Sequence, residues 1–530
     1  MNGELEVDKK IKEQNNIGQI FCNYDRNNSD VSKSDNNLWS NIGFQRDLSR
    51  IIFSNAYRRL AGKTQIFPID ENDHYMTRLT HTLVVNNIAL DIANNLNNEL
   101  CANINIDLIQ AIANGHDVGH TPFGHAGERT INSYCEQMTS FSEKYFFKHN
   151  LFGVDILQNL ERVKNNEYGY DLSWQVIDGI IKHTDVVKND LLNKVLDYQI
   201  NNNFLKSNNL NKAINSMNYC INYKKSINYF EYPFPITIEG QIVKIADEIA
   251  QYYHDILDFS RFYMRDKEKS PIYSLLNSDL CSINDLREQP QFISKFINTY
   301  YSKGKIKNNK IFRPENRETF ANDFKELFIN EVIHVIKKRI KENKNICINV
   351  EPNTQRFIVE NILFDINEDN KVIPLFDHDY IKKASKIFID YRKQRICDNE
   401  IKKFDGLGKK NIDKTLTKII KNKKICCNLC GNDFIREISI LCRNNYIEIK
   451  KVNENKVIDF DLLTTNEVDE IVQYLYSCIF KKNVKGLYKI TYLDEKSEKY
   501  FKDAFYGSIV SSVARMTDFY ISSQKYKNKN

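Results

Sequence analysis

The sequence predicts a mainly α-helical protein with additional C-terminal helices and a small antiparallel β element, on three observations. Apolar residues recur at steps of three and four through most of the chain, which gathers them on single helix faces. One tract, residues 425–460, alternates in a β-like way instead. No segment recurs elsewhere in the chain, so a repeat architecture is not indicated.

Residues 1–36 are rich in Asn, Asp, Ser and Lys with few apolar anchors, and a mobile tail is expected there. Order should begin at LWSNIGFQRDLSRIIFSNAYRRL, where the helical period runs from Asp47 to Leu60. In THTLVVNNIALDIANNL, Leu83, Ile88, Ile92 and Leu96 keep to one broad face. The same period marks IDLIQAIANGHDV, HNLFGVDILQNLERV, SWQVIDGIIKHTD, EGQIVKIADEIAQYYHDILDF and ETFANDFKELFINEVIHVIKKRI. FIREISIL, NYIEIKKV and KVIDF then read as strands, with NN and NEN as turns, before helix returns in EVDEIVQYLYSCIF and AFYGSIVSSVARMTDFYISS. The expected organisation is a tail at 1–36, a helical core at 37–270, and a mainly helical region at 271–530 that packs back on it.

The 75 basic and 69 acidic residues leave a net charge of +6, a small excess that does not mark a dedicated nucleic-acid binder. The opening MNGELEVDKKIKEQNN lacks the apolar stretch of a secretory signal, and no run of about eighteen apolar residues predicts a membrane span. Twelve cysteines without regular spacing suit reduced thiols, so a cytoplasmic location is expected.

Six of the ten histidines (His74, His81, His116, His120, His125, His149) fall between positions 74 and 149, where an even spread would put roughly one or two. NGHDVGHTPFGHAGE concentrates three of them with an aspartate and a glutamate. His116 and Asp117 at a helix end can reach one ion, and His81, on a helix 35 residues earlier, can meet them if the helices fold back as a pair. Asp247 is a carboxylate in an otherwise apolar helix, where an unpaired charge is costly, and so is the best fourth ligand. Two imidazoles and two carboxylates suit Mn, Fe, Co, Zn or, less strongly, Mg.

These residues, with AYRRLAGKTQIF, TRLTHTLVV, AIANGHDVGHTPFGHAGE, FKHN, IEGQIVKIADEIA, HDILD and RMTDFY, resemble the HD-domain phosphohydrolases of the deoxyguanosine triphosphate triphosphohydrolase branch. The resemblance runs from about Asp47 to Tyr520, and HDVGHTPFGHAGE is its most specific stretch. It implies an HD-domain helical core in which His81, His116, Asp117 and Asp247 hold one divalent metal, Mn2+ or Mg2+ foremost. It implies that a water of lowered pKa attacks the α-phosphorus of a dNTP. His125 would be the general acid or base, and Glu128, at i+3, would orient it and raise its pKa. His120 and Arg78 would be phosphate-contacting cations. Gln65 would face the deoxyribose side, Asp255 the sugar 3′-hydroxyl, and His149 and Asn150 the neighbourhood of the substrate. A nucleotide or single-stranded DNA effector and a homo-oligomer also follow from the resemblance.

Three positions depart from the family pattern. Gln251 stands where the family usually has a tyrosine that stacks on the sugar, with Tyr252 as a neighbouring substitute; Met76 replaces a frequent arginine, and Arg515 a glycine. Bland readings accompany the sharp ones. Arg78 can be a structural ion-pair partner, His120 a brace for TPFG, and His125 with Glu128 a surface pair. His183 and Asp185 read as an acid–base pair or as a helix C-terminus, and His254 as a packing residue. Cys427-x2-Cys430 is half a zinc knuckle without its second half, so free thiols on a β element are the default. GKIKNNKIF, IKKRIKENK and KIIKNKK read as solvated helix faces or as an effector site. The alternatives in function are an HD hydrolase of nucleoside monophosphates or cyclic nucleotides, and a nucleotide- or DNA-binding regulator with a vestigial site.

Overall fold

The computed structural model describes residues 43–66, 76–100, 104–137, 147–161, 169–184, 232–262, 289–302, 305–306, 314–342, 347–349, 357–359, 361–368, 371–395, 399–443, 447–452, 456–458, 465–480, 488–493 and 497–522. The tail expected at 1–36 lies outside these residues, as do His74 and Asp185.

The chain is mainly helical. α1 (Phe44–Phe53) ends at Ser54, whose hydroxyl accepts from the Tyr57 N–H and opens α2 (Asn55–Arg59), so the single period from Asp47 to Leu60 is two helices. A 3-10 turn, Leu60–Gly62, follows. α3 (Arg78–Leu100) buries Val85, Ile88, Ala89, Ile92, Ala93 and Leu96 at helical spacing. Leu83, expected on that face, is instead 51% exposed, because the buried stripe begins with the polar pair Arg78 and His81. α4 (Ile106–Gly115) is capped by Asn105, whose side chain accepts from the Leu108 N–H. α5 (Gly124–Gln137), α6 (His149–Asp155) with a π turn at Ile156–Leu160, α7 (Trp174–Lys182) and α8 (Ile238–Phe262) complete the set around the histidines.

α9 (Gln291–Tyr300), α10 (Pro314–Glu342) and α11 (Asp379–Arg395) extend the same apolar core, with Phe320, Phe324, Phe328 and Phe388 among its largest buried side chains. Between these helices lie three antiparallel two-stranded pairs that the sequence reading did not anticipate. They are β1 (Tyr301–Ser302) with β2 (Lys305–Ile306), β3 (Cys347–Asn349) with β4 (Phe357–Val359), and β5 (Phe364–Ile366) with β6 (Val372–Pro374).

A second core gathers α12 (Asn399–Lys421), α13 (Lys423–Arg443), a small sheet, α14 (Thr465–Ile479), α15 (Ser497–Ala514) and α16 (Asp518–Ser522). The sheet holds β7 (Ile447–Lys451) between β8 (Lys456–Val457) and β9 (Tyr488–Tyr492), all antiparallel. FIREISIL is therefore helix rather than strand, a correction to the 425–460 reading. Its cause is the row Cys426, Cys430, Phe434, Ile438, fully buried at four-residue spacing, a helical stripe that shows only when cysteine is counted as apolar. Cys426 and Cys430 are free thiols buried in this core on a helix, not on a β element. α5 packs into the second core through Ile131 and Cys135, joined by Phe123 just before it.

Candidate metal and catalytic site

α3 and α8 lie side by side, and this packing brings His81 and Asp247 together across 166 residues, with His81 Nε2 3.0 Å from Asp247 Oδ1. His116 closes the C-terminus of α4, donating from Nδ1 to the Ala113 carbonyl at 2.6 Å, which leaves Nε2 as a lone-pair nitrogen. That Nε2 is buried and has no partner. Asp117 Oδ1 lies 3.6 Å from it and 3.1 Å from His120 Nε2. His81, His116 and Asp117 place one ligand atom each within 4.8 Å of one another, so three of the four expected ligands form one cluster and Asp247 joins through His81.

Four residues of this cluster have buried polar atoms without partners: His116 Nε2, His120 Nδ1, His149 Nε2 and Arg78 Nε. Each such group costs about 1–3 kcal/mol unless something satisfies it. The concentration of imidazole lone pairs beside a carboxylate fits a divalent cation in chemistry and in placement.

Electrostatics sharpen the assignment. Burial opposes charge on Asp117, yet His120, His116 and Arg78 hold its carboxyl well below the ordinary range. Burial also opposes charge on Asp247, and the hydrogen bond from His81 outweighs it, lowering that carboxyl too. Both are carboxylates ready to ligate. His120 is held well below the ordinary imidazole range by burial and then by Arg78 and His149. This direction opposes the cationic role expected for His120, whose buried ring stacks on His149 at 3.7 Å between centroids.

Arg78 realises its ion-pair alternative, with Nη1 2.9 Å from Asp117 Oδ2 and both side chains buried. Glu128 accepts from His149 Nδ1 at 2.8 Å, with Lys148 Nζ 3.7 Å away. The sequence assigned Glu128 to His125 from i+3 spacing; its hydrogen-bonded partner is His149, because α6 returns over α5, while His125, Glu128 and His149 still place ligand atoms within 4.8 Å. Burial pushes the Glu128 carboxyl up, but the His149 hydrogen bond prevails and lowers it to about 2. His125 is exposed, at the rim of the cluster, with its ring 5.5 Å from His120 and 5.8 Å from His149.

The close approach of α6 depends on Gly119, where a Cβ would stand 2.0 Å from the His149 carbonyl oxygen and 2.3 Å from the Gly153 nitrogen. Asn150 donates to the Ile181 carbonyl at 2.5 Å and so braces α6 against α7. Gln251 spans both oxygens of Asp247 at 3.1 Å, one turn along α8, and Asp255 is buried one turn further. Tyr252 is corrected outright. It is fully buried, its ring packs on Phe328 and Phe388, and its hydroxyl meets Ser385 at 2.9 Å, so it points into the first core and not toward the histidines.

Two histidines that the sequence reading set aside belong to the cluster. His183, at the C-terminus of α7, lies edge-on to His116 (5.1 Å) and His149 (5.5 Å), and burial first, then His116, lowers it to about 3. His254 Nδ1 lies 3.1 Å from His81 Nδ1, backing the first expected ligand. A signal for His254 was available: Asp247, Gln251 and His254 fall at i, i+4 and i+7, one face of α8.

A helical core that holds His81, a His116–Asp117 pair at a helix end and Asp247 across from them defines the HD class of phosphohydrolase. A family model described as the HD domain matches residues 78–252. The chain is 30% identical over 351 residues to a "Deoxyguanosinetriphosphate triphosphohydrolase-like protein" of Rickettsia felis, covering 65% of this chain and 74% of that relative. Relatives of the same description from Rickettsia bellii and Rickettsia prowazekii are each 36% identical over 236 residues, 43% of this chain and 52% of each of them. Against these two the chain spans about half the relative's length. The chain belongs to the HD-domain deoxyguanosinetriphosphate triphosphohydrolase-like family.

Proposed function

We propose that the protein is a metal-dependent dNTP triphosphohydrolase, converting a deoxynucleoside triphosphate and water to the deoxynucleoside and tripolyphosphate. The observation that carries this reading is the grouping of His81 and His116 on one side, and of His120 and His149 on the other, around the Asp117 carboxylate, with His116 Nε2 buried and unpartnered. His81, His116, Asp117 and Asp247 would hold the ion, with Mn2+ or Mg2+ the leading choices. Bound there, the ion supplies Lewis acidity, which lowers the pKa of water and offsets phosphate charge.

The chain's own residues divide the rest. Arg78 offers an unpaired Nε beside its Asp117 contact and takes a phosphate oxygen. Glu128 fixes the proton of His149 on Nδ1, so the His149 Nε2 lone pair faces the cluster as a base or acceptor. His125, exposed at the rim, gives its proton to the leaving 5′-oxygen. Gln65 and Asp255 serve the nucleoside end, and Asn150 lies near the substrate. Gln251, tied to Asp247, leaves the usual stacking position without an aromatic ring, so the assay should pair each deoxynucleotide with its ribonucleotide.

We further propose a cytoplasmic homo-oligomer with a nucleotide or single-stranded DNA effector, built from a core at 37–270 and a region at 271–530. Among the described residues no helix is long and apolar enough to cross a membrane. The test incubates the protein with each dNTP and Mn2+ or Mg2+ and resolves the phosphate products. Tripolyphosphate is expected; orthophosphate or pyrophosphate as the sole release, or no release from any of the four, overturns the reading.

A further inference from the structure

The turn that leads into His125 is held from the far end of the chain. Phe123 has φ 58° and precedes Gly124 at φ 53°. For a bulky side chain this left-handed conformation is a strained one, kept only when surrounding contacts over-determine it. Those contacts come from the second core. Asp518 Oδ1 accepts from the Phe123 N–H at 2.9 Å, while Oδ2 accepts from the Thr64 N–H at 2.9 Å and from Thr64 Oγ1 at 2.7 Å. The Phe123 ring sits against Gly408 of α12, where a Cβ would come within 2.7 Å of it, and meets Phe404 edge-on at 5.8 Å. Alongside, the buried Lys63 Nζ donates to the carbonyls of His120 and Ala514.

One carboxylate thus joins the segment carrying Thr64 and Gln65, the turn carrying His125, and the helix pair α15–α16. We propose that Asp518 is a positioning residue for the hydrolytic step: it holds Phe123 left-handed and so aims His125, and with it the face of α5 that carries Glu128. The inference rests on the reading of His125 as proton donor for its catalytic consequence, whereas the geometry of the turn stands apart from that reading. The hydrogen bonds of the Asp518 carboxylate go to Thr64 and to the Phe123 N–H, so its effect is transmitted through the backbone of these two residues.

The test uses the full chain with Asp518→Asn and Asp518→Ala. Asparagine keeps the volume but replaces one acceptor oxygen with an NH2 group, which meets either the Thr64 or the Phe123 N–H donor to donor. A residue that only fills space tolerates that change. Expected for Asp518→Asn are unchanged metal content, faster backbone hydrogen exchange confined to peptides covering 121–128 and the Thr64 segment, and kcat lower by about 100-fold with KM little changed, the scale of an ångström's misplacement of a catalytic group. Asp518→Ala should do the same or more. Wild-type exchange at 121–128 or wild-type kcat in Asp518→Asn overturns the proposal, and so does faster exchange spread evenly over the chain, which would mark a purely structural role. If the unaltered protein hydrolyses no dNTP, the proposed function falls while the exchange comparison still decides whether Asp518 holds the turn.

Discussion

Arg78 and Asp117 are both buried and 2.9 Å apart, so neither can be altered without consequence for the other. Replacing Asp117 with alanine should abolish metal binding and activity, and it also strands a guanidinium charge in the interior. Breaking a buried pair from one side costs about 3–5 kcal/mol, so Asp117→Ala should melt well below the wild type. Arg78→Met added to Asp117→Ala should recover most of that loss without restoring metal, as followed by denaturant unfolding and metal content. Equal stability of the single and double variants would refute the argument. The place of Asp117 in the histidine cluster was legible in the HD pair, but its partner Arg78 was not, because 39 residues of separation carry no pairing information. Glu128 makes a second residue-scale prediction. Its folded pKa of about 2 lies below the ordinary 4.5, so its contribution is fully present above pH 4.5 and is lost as pH falls through 2. Glu128→Gln should therefore be less stable than wild type at pH 7, on the order of 3 kcal/mol, with the gap closing as the pH is lowered from 4.5 toward 2. A gap that is constant across that window would mean that ionisation of Glu128 is not what stabilises the pair.

At the scale of elements, the helices that bear the site were legible because each buries a stripe at helical spacing, and Ile88, Ile92 and Leu96 of α3 lie where the period put them. What failed were cases in which tertiary packing chose between local options. α13 reads as strand from its β-branched residues, and the buried row from Cys426 to Ile438 makes it helix; β9 pairs with β7 from 37 residues beyond the end of that strand, a contact no local pattern announces. The approach of α6 to the HD loop is of the same kind. It is set by Gly119, whose hypothetical Cβ meets backbone atoms of His149 and Gly153 that no rotamer change can move aside. Gly119→Ala should displace α6, and with it the His149–Glu128 pair and the stacking of His149 on His120. The expected result is a fall in kcat of about 100-fold or more, with metal content retained because His81, His116 and Asp247 lie on other elements. Unchanged kcat in Gly119→Ala would mean that α6 can shift without cost to the site.

Across the whole molecule, the site straddles two apolar cores. His81, His116 and Asp247 stand on helices of the first, whereas α5, with His125 and Glu128, is anchored in the second by Phe123, Ile131 and Cys135. Metal holding and proton transfer should then fail separately. Phe434 is 1% exposed in the second core and Phe324 1% exposed in the first, so each large-to-small substitution to alanine removes a buried ring and costs about 3–5 kcal/mol. In a stepwise denaturant titration of the metal-loaded protein, Phe434→Ala should bring loss of activity to lower denaturant while loss of metal moves less. Phe324→Ala should move both together, since the first core carries the ligands on which activity also depends. Activity and metal retention shifting equally in Phe434→Ala would show that the two cores unfold as one unit, and that the second core contributes to the site only through global stability.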